Sequence, residues 1–120
     1  MTQDSARRVL AVIPDLYFAT RVAATAKLLR IALELTAPRA AAQAAAEWAP
    51  ALVLVDLHVQ GMAALIAAVR TSAPSASVVG FYSHVATALR DEAIAAGADA
   101  ALPRSQFVAR LPALLERGVG

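Results

Sequence analysis

The sequence predicts an α/β fold, a five-stranded parallel sheet covered by helices on both faces. Three observations predict it. Short apolar and β-branched runs alternate with stretches of helical spacing. The alternation repeats at a period of roughly 20–25 residues, the spacing of successive βα units. The apolar runs are mostly continuous, as strands buried on both faces require.

The elements follow in order. "RVLAVI", 8–13, is a buried strand bounded by Pro14 and Asp15. From Leu16 to about Leu29 apolar residues recur at 18, 22, 26 and 29, one face of a helix. "RIALEL", 30–35, alternates Ile31, Leu33 and Leu35 with other residues and reads as an edge strand. "APRAAAQAAAEWA" is a strong helix former with Pro38 near its first turn. "ALVLVD" is a second apolar strand, ending on Asp56. "GMAALIAAVRTS" is helical and Pro74 ends it; "SVVGFYS", 77–83, is a strand. "VATALRDEAIAAG" is a helix closed by Gly97. "ADAALP", 98–103, is a short strand, and Ser105 is expected to cap a last helix kinked by Pro112.

Right-handed crossovers leave few topologies for such a chain. The expected one is a three-layer αβα arrangement with the flavodoxin-like strand order 2-1-3-4-5. Its ligand sites lie at the carboxyl ends of the strands, at the switch point between strands 1 and 3. Asp15, Asp56, Ser83 and Arg104 should all meet at that rim.

Composition narrows the function. The chain of 120 residues fits one domain. It is 59% hydrophobic and 17% charged, yet no apolar run is long enough for a membrane span. The N-terminus "MTQDSARRVL" has no apolar signal core, so a cytoplasmic location is expected. With no cysteine, disulfides and thiolate metal sites are excluded. Eleven Lys and Arg against nine Asp and Glu is a small excess, and the basic residues are scattered. A nucleic-acid footprint is not expected.

The order and spacing of the rim residues, with "VIPDL", "VLVDL", "GFYSH" and "AGADAALPRS", resemble the receiver domains of two-component response regulators. The resemblance covers nearly the whole chain. It implies that Asp56 matches the phospho-acceptor, that Ser83 and Arg104 match the phosphoryl-binding positions, and that Asp15, Asp56 and the His58 backbone carbonyl match the Mg²⁺ shell. It also implies a protein partner, a histidine kinase or a downstream effector. The helix 4–strand 5–helix 5 face, with Val85, Leu89, Ala100 and Ala101, is the implied surface for a homodimer or other contact. Attack by a carboxylate on a phosphoryl group needs the charge on the transferring oxygens neutralised, which is why an acid, a metal and a cation should converge.

Four positions depart from that pattern. Pro14 replaces the first acid and brings no charge. Arg104 stands where a Lys is usual, and guanidinium and ammonium are not interchangeable. His84 follows Ser83, where a small residue is usual, and Ala101 stands where a switch aromatic is usual. The profile is that of an atypical or pseudo-receiver, a stand-alone module with Mg²⁺ weakly bound or absent.

Plainer readings stand beside these. Asp15 is a natural N-cap for the helix at Leu16. Arg104 could pair with Asp56 or Asp15. Phe18 is expected in the core and Tyr17 half-exposed, or both form an aromatic lip. "DLHVQG" also spells D-x-H-x-x-G, an axial-histidine pattern of cobalamin domains, but after the wrong strand. No glycine-rich loop follows strand 1 to hold a nucleotide. The alternative function is a small flavodoxin-like enzyme or cofactor-binding domain using the same crevice.

Overall fold

The computed structural model describes residues 7–83 and 85–118. The strands are β1 (Arg8–Val12), β2 (Ala32–Leu35), β3 (Leu52–Asp56), β4 (Ser77–Tyr82) and β5 (Ala100–Pro103). The helices are α1 (Leu16–Leu28), α2 (Ala41–Trp48), α3 (Met62–Ser72), α4 (Thr87–Ala96) and α5 (Arg104–Arg117). All pairings are parallel and the strand order is β2-β1-β3-β4-β5. The expected fold class, topology and order hold.

Alternation along the strands builds two cores. Val53 and Val55 of β3, with Leu10, Val12 and Val78, pack against Ala41 and Ala45 of α2, Ile66 and Val69 of α3 and Ala93 of α4. Leu52 and Leu54, with Val9, Ala11, Val79 and Phe81, pack against Phe18 and Val22 of α1 and Phe107, Leu111 and Leu114 of α5. Helices α1 and α5 therefore cover one face, and α2, α3 and α4 the other. With both faces covered, β3 is buried along its whole length, as its continuous apolar run requires. No helix among the described residues is long and apolar enough to cross a membrane.

Several boundaries differ from the sequence reading, for local reasons. Strand β2 starts at Ala32 because residues 30 and 31 close α1. Arg30 takes a left-handed φ of 59°, its N–H donates to the Lys27 carbonyl, and the Ile31 N–H donates to the Ala26 carbonyl. That is a Schellman closure with a non-glycine residue in the special position. Pro38 opens a short 3-10 turn, Pro38–Ala40, ahead of α2 rather than the α-helix itself. Ser105 does not cap α5. The helix begins at Arg104, Pro103 occupies the cap position, and no side chain caps it. It runs continuously through Pro112.

The "AGAD" segment has a structural role. Gly97 ends α4 with φ 120°, as the helix-closing glycine was expected to do. Arg70 of α3 donates to the Gly97 carbonyl at 2.9 Å and the Ala76 carbonyl at 2.6 Å, and pairs with Asp99 at 2.5 Å. Asp99 also accepts the Val78 N–H at 2.7 Å. One guanidinium thus ties α3, the end of α4 and the entry of β4 and β5 together.

Gly80 gives the site its shape. A Cβ at this central position of β4 would lie 2.7 Å from Leu57 Cγ. Leu57 is 1% exposed and directly follows Asp56, so the missing side chain lets the chain after β3 tuck against β4. Gly80→Ala is expected to lower the unfolding free energy by about 1–3 kcal/mol, the usual cost of overpacking a filled core. Urea denaturation reads it, and the penalty should largely disappear in a Leu57→Ala background.

Candidate functional site

Asp56 closes β3 beside Phe81 of β4. It is 8% exposed and is the only buried charged side chain among the described residues. A carboxylate taken out of water needs hydrogen bonds or a cation. Its Oδ1 accepts the His58 N–H at 2.9 Å, an Asx-turn that starts the loop toward α3. The Val59 N–H donates to the Asp56 carbonyl at 3.2 Å.

His58 then crosses to the neighbouring strand end. Its Nε2 accepts the Ser83 backbone N–H at 3.0 Å. A backbone N–H can only donate, so Nε2 carries the lone pair and a neutral ring bears its proton on Nδ1. The imidazole bridges the loops that follow β3 and β4. Beside it, His58, Val59, Met62, Leu89 and Glu92 help line an open groove of about 280 Å³.

Asp15 takes the helix-cap role. It is exposed, and its Oδ1 accepts the Tyr17 and Phe18 N–H groups at 3.0 and 3.3 Å. These are orphan donors of the first turn of α1. Phe18 is buried, as expected, whereas Tyr17 is 81% exposed, not half-buried.

Arg104 corrects an expectation. Among the described residues it forms no ion pair with Asp56 or Asp15; the ion pairs there are Arg70–Asp99 and Arg90–Asp91. Its guanidinium lies 4.6 Å from the Phe18 ring centroid and 5.5 Å from that of Phe81. Those rings meet edge to face at 5.1 Å, and Phe107 completes the cluster at 4.6 Å from Phe81. A guanidinium is weakly hydrated and stacks readily on aromatic faces. The cation is thus held by π-faces rather than by the acid.

The four rim positions do lie at the carboxyl ends of β1, β3, β4 and β5, and among the described residues no ion pair joins Arg104 to Asp15 or Asp56. No hydrogen bond among the described residues joins the Ser83 hydroxyl to Asp56, while the Ser83 N–H is engaged by His58. Ala101 is half-buried and packs against the α2–α3–α4 core. His84 lies outside the described residues. Two contacts escaped the sequence reading, the Arg104 seat and the His58 ring bridge. "GFYS" put an aromatic at the end of β4, but nothing local says which group a guanidinium will choose.

No protein-family model matches the chain, and no curated protein matches it. Solved structures do. The signal receiver domain of the response regulator NarL from Mycobacterium tuberculosis matches with a TM-score of 0.80 and 23% identity, over 98% of this chain and 99% of that one. The chain has the receiver-domain fold. The chemotaxis response regulator CheY4 of Vibrio cholerae gives a TM-score of 0.81 at 20% identity, over 96% of this chain and 100% of that one. The beryllofluoride-activated receiver-domain dimer of NtrC4 gives 0.73 at 18% identity, over 92% of this chain and 98% of that one. At these identities the likeness is one of fold.

Within that fold, the rim offers Mg²⁺ two carboxylates, Asp15 and Asp56. Mg²⁺ demands near-octahedral oxygen ligands. Pro14 supplies no side-chain oxygen, and Asp15 and Asp56 each have one carboxylate oxygen engaged by backbone N–H groups. Among the described residues no three His, Asp or Glu side chains converge to hold a metal ion.

The Arg104 seat is testable by a double-mutant cycle. Arg104→Ala should cost about 0.5–1 kcal/mol, as expected for an exposed cation–π contact. The cost should be unchanged in an Asp56→Asn background. A coupling above about 0.5 kcal/mol between the two sites, measured by urea denaturation, would reveal an ion pair instead.

Proposed function

We propose that this protein is a receiver-type signalling module that works through protein contact, with Asp56 standing outside Mg²⁺-dependent phosphotransfer. One observation carries the reading. Among the described residues Arg104, the cation after β5, sits on Phe18 and Phe81 and forms no ion pair with the buried Asp56. Phosphoryl transfer depends on positioning and on charge neutralisation at the transferring oxygens. Here the acid survives while the neutralising groups are missing or turned elsewhere.

The described residues support no competing chemistry at the rim. Asp56 and His58 meet through a backbone N–H and do not form a nucleophile–base pair. In this reading output passes through protein contact. Val85 is 78% exposed just before α4, and Leu89 of α4 and Ala100 and Ala101 of the edge strand β5 belong to the same proposed region. This face is the proposed contact surface for an effector protein or a second copy. The NtrC4 receiver, a dimer of the same fold, supports self-association as one form of that contact.

The test is direct. The protein is incubated with millimolar Mg²⁺ and acetyl phosphate, and with beryllofluoride, and followed by intact mass and ¹⁹F NMR. Neither an acyl phosphate nor a bound beryllofluoride signal is expected. Labelling of the wild-type chain that disappears in Asp56→Asn would overturn the proposal. Restoring the missing groups should restore binding. The Pro14→Asp, Arg104→Lys double variant is expected to bind Mg²⁺ and beryllofluoride more tightly than wild type by at least about tenfold, the equivalent of 1.4 kcal/mol.

A further inference from the structure

We propose that His58 is a positioning residue that couples the Asp56 carboxylate to the start of α4. The inference deepens the reading above, since it names the route by which the acid end of the crevice reaches the contact face.

His58 holds both sides at once. Its main-chain N–H is bound by Asp56 Oδ1 at 2.9 Å, and its ring Nε2 is bound to the Ser83 N–H at 3.0 Å, across 25 residues of sequence. From Ser83 the series continues. The Ser83 carbonyl accepts the Ala86 N–H at 2.9 Å, and the Ala86 carbonyl accepts the Leu89 N–H at 3.0 Å. Ala86 is the cap residue of α4 and Leu89 lies in its first turn. An unbroken hydrogen-bonded series thus runs from a buried carboxylate to the helix that walls the His58–Leu89–Glu92 groove.

Two other side-chain routes are not built among the described residues. Arg104 rests on Phe18 and Phe81, and Ala101 has no ring to move. The Leu57 N–H also donates to the Phe81 carbonyl at 3.0 Å; beyond that ladder bond, the His58 ring joins the loops that follow β3 and β4. A bond to an ionised carboxylate is about twice as strong as one to a neutral group. Any change in the charge or occupancy of Asp56 therefore alters the strongest bond on the His58 backbone, and the ring passes the displacement to Ser83. Spatial continuity alone does not establish coupling; a two-site cycle does.

The cycle is read in ¹H–¹⁵N NMR spectra of the full chain, with thermal melts to show that each variant folds. Asp56→Ala is expected to shift the Ser83, Ala86 and Leu89 amides. In a His58→Ala background the same substitution should shift them severalfold less. His58→Gln, whose Oε1 can accept the Ser83 N–H, should restore the larger response. Shifts of equal size in the His58→Ala background, or none at these amides in Asp56→Ala, overturn the proposal. If Asp56→Ala does not fold, Asp56→Asn replaces it. Its neutral oxygen still accepts the bond, so the same pattern is expected at smaller amplitude, and the same two results overturn it. The two proposals fail separately. Beryllofluoride uptake by wild type defeats the contact-only reading, whereas an unchanged response in His58→Ala defeats the coupling.

Discussion

Strand β3 can carry no polar side chain before its last residue, because both of its faces lie under helices. Leu52, Val53, Leu54 and Val55 are fully buried, and they alternate between the α1–α5 core and the α2–α3–α4 core. The first place where a carboxylate can meet hydrogen-bond donors is the strand's carboxyl end, and Asp56 stands there. The loop that follows β3 is arranged around that one acid. The turn to α3 is folded on its Oδ1, Gly80 leaves room for Leu57 beside it, and His58 is aimed by the same turn toward β4.

The placement of charge at this rim follows the cost of burying it. Bringing Arg104 onto Asp56 would strip water from both groups, and a buried ion pair regains that loss only with excellent geometry. The Phe18–Phe81–Phe107 cluster offers a less demanding seat, where a weakly hydrated guanidinium keeps its exposure to water while covering apolar rings. Asp15 follows the same logic. An exposed carboxylate at a helix N-terminus finds two N–H donors and the favourable end of the dipole without desolvation. Each group sits in an environment that keeps its desolvation cost low.

The opposite end of the sheet is organised differently. There Arg70 is tied to Gly97, Ala76 and Asp99, with Asp99 also holding the β4 backbone. That end is cross-linked by charge-assisted bonds, while the carboxyl-end rim is held by single hydrogen bonds and stacking. The two ends of the sheet are thus held by different kinds of contact.

The amino-acid sequence by itself determined the fold. Helical and strand periodicity, Gly97 at a helix end and the continuous "LVLV" run are signals read from neighbouring residues, and they specify a doubly covered parallel sheet and the strand ends where Asp15, Asp56, Ser83 and Arg104 lie. It also determined the Asp15 cap, because an N-cap is a contact of two or three residues' reach. The boundaries it missed, at Arg30, Pro38 and Ser105, are places where backbone geometry at a single residue outweighed composition. Only the tertiary structure decided that Arg104 turns to Phe18 and Phe81, and that the His58 ring ties itself to Ser83. Those choices pit contacts between distant segments against one another, and the winner is set by burial and geometry that no local pattern encodes.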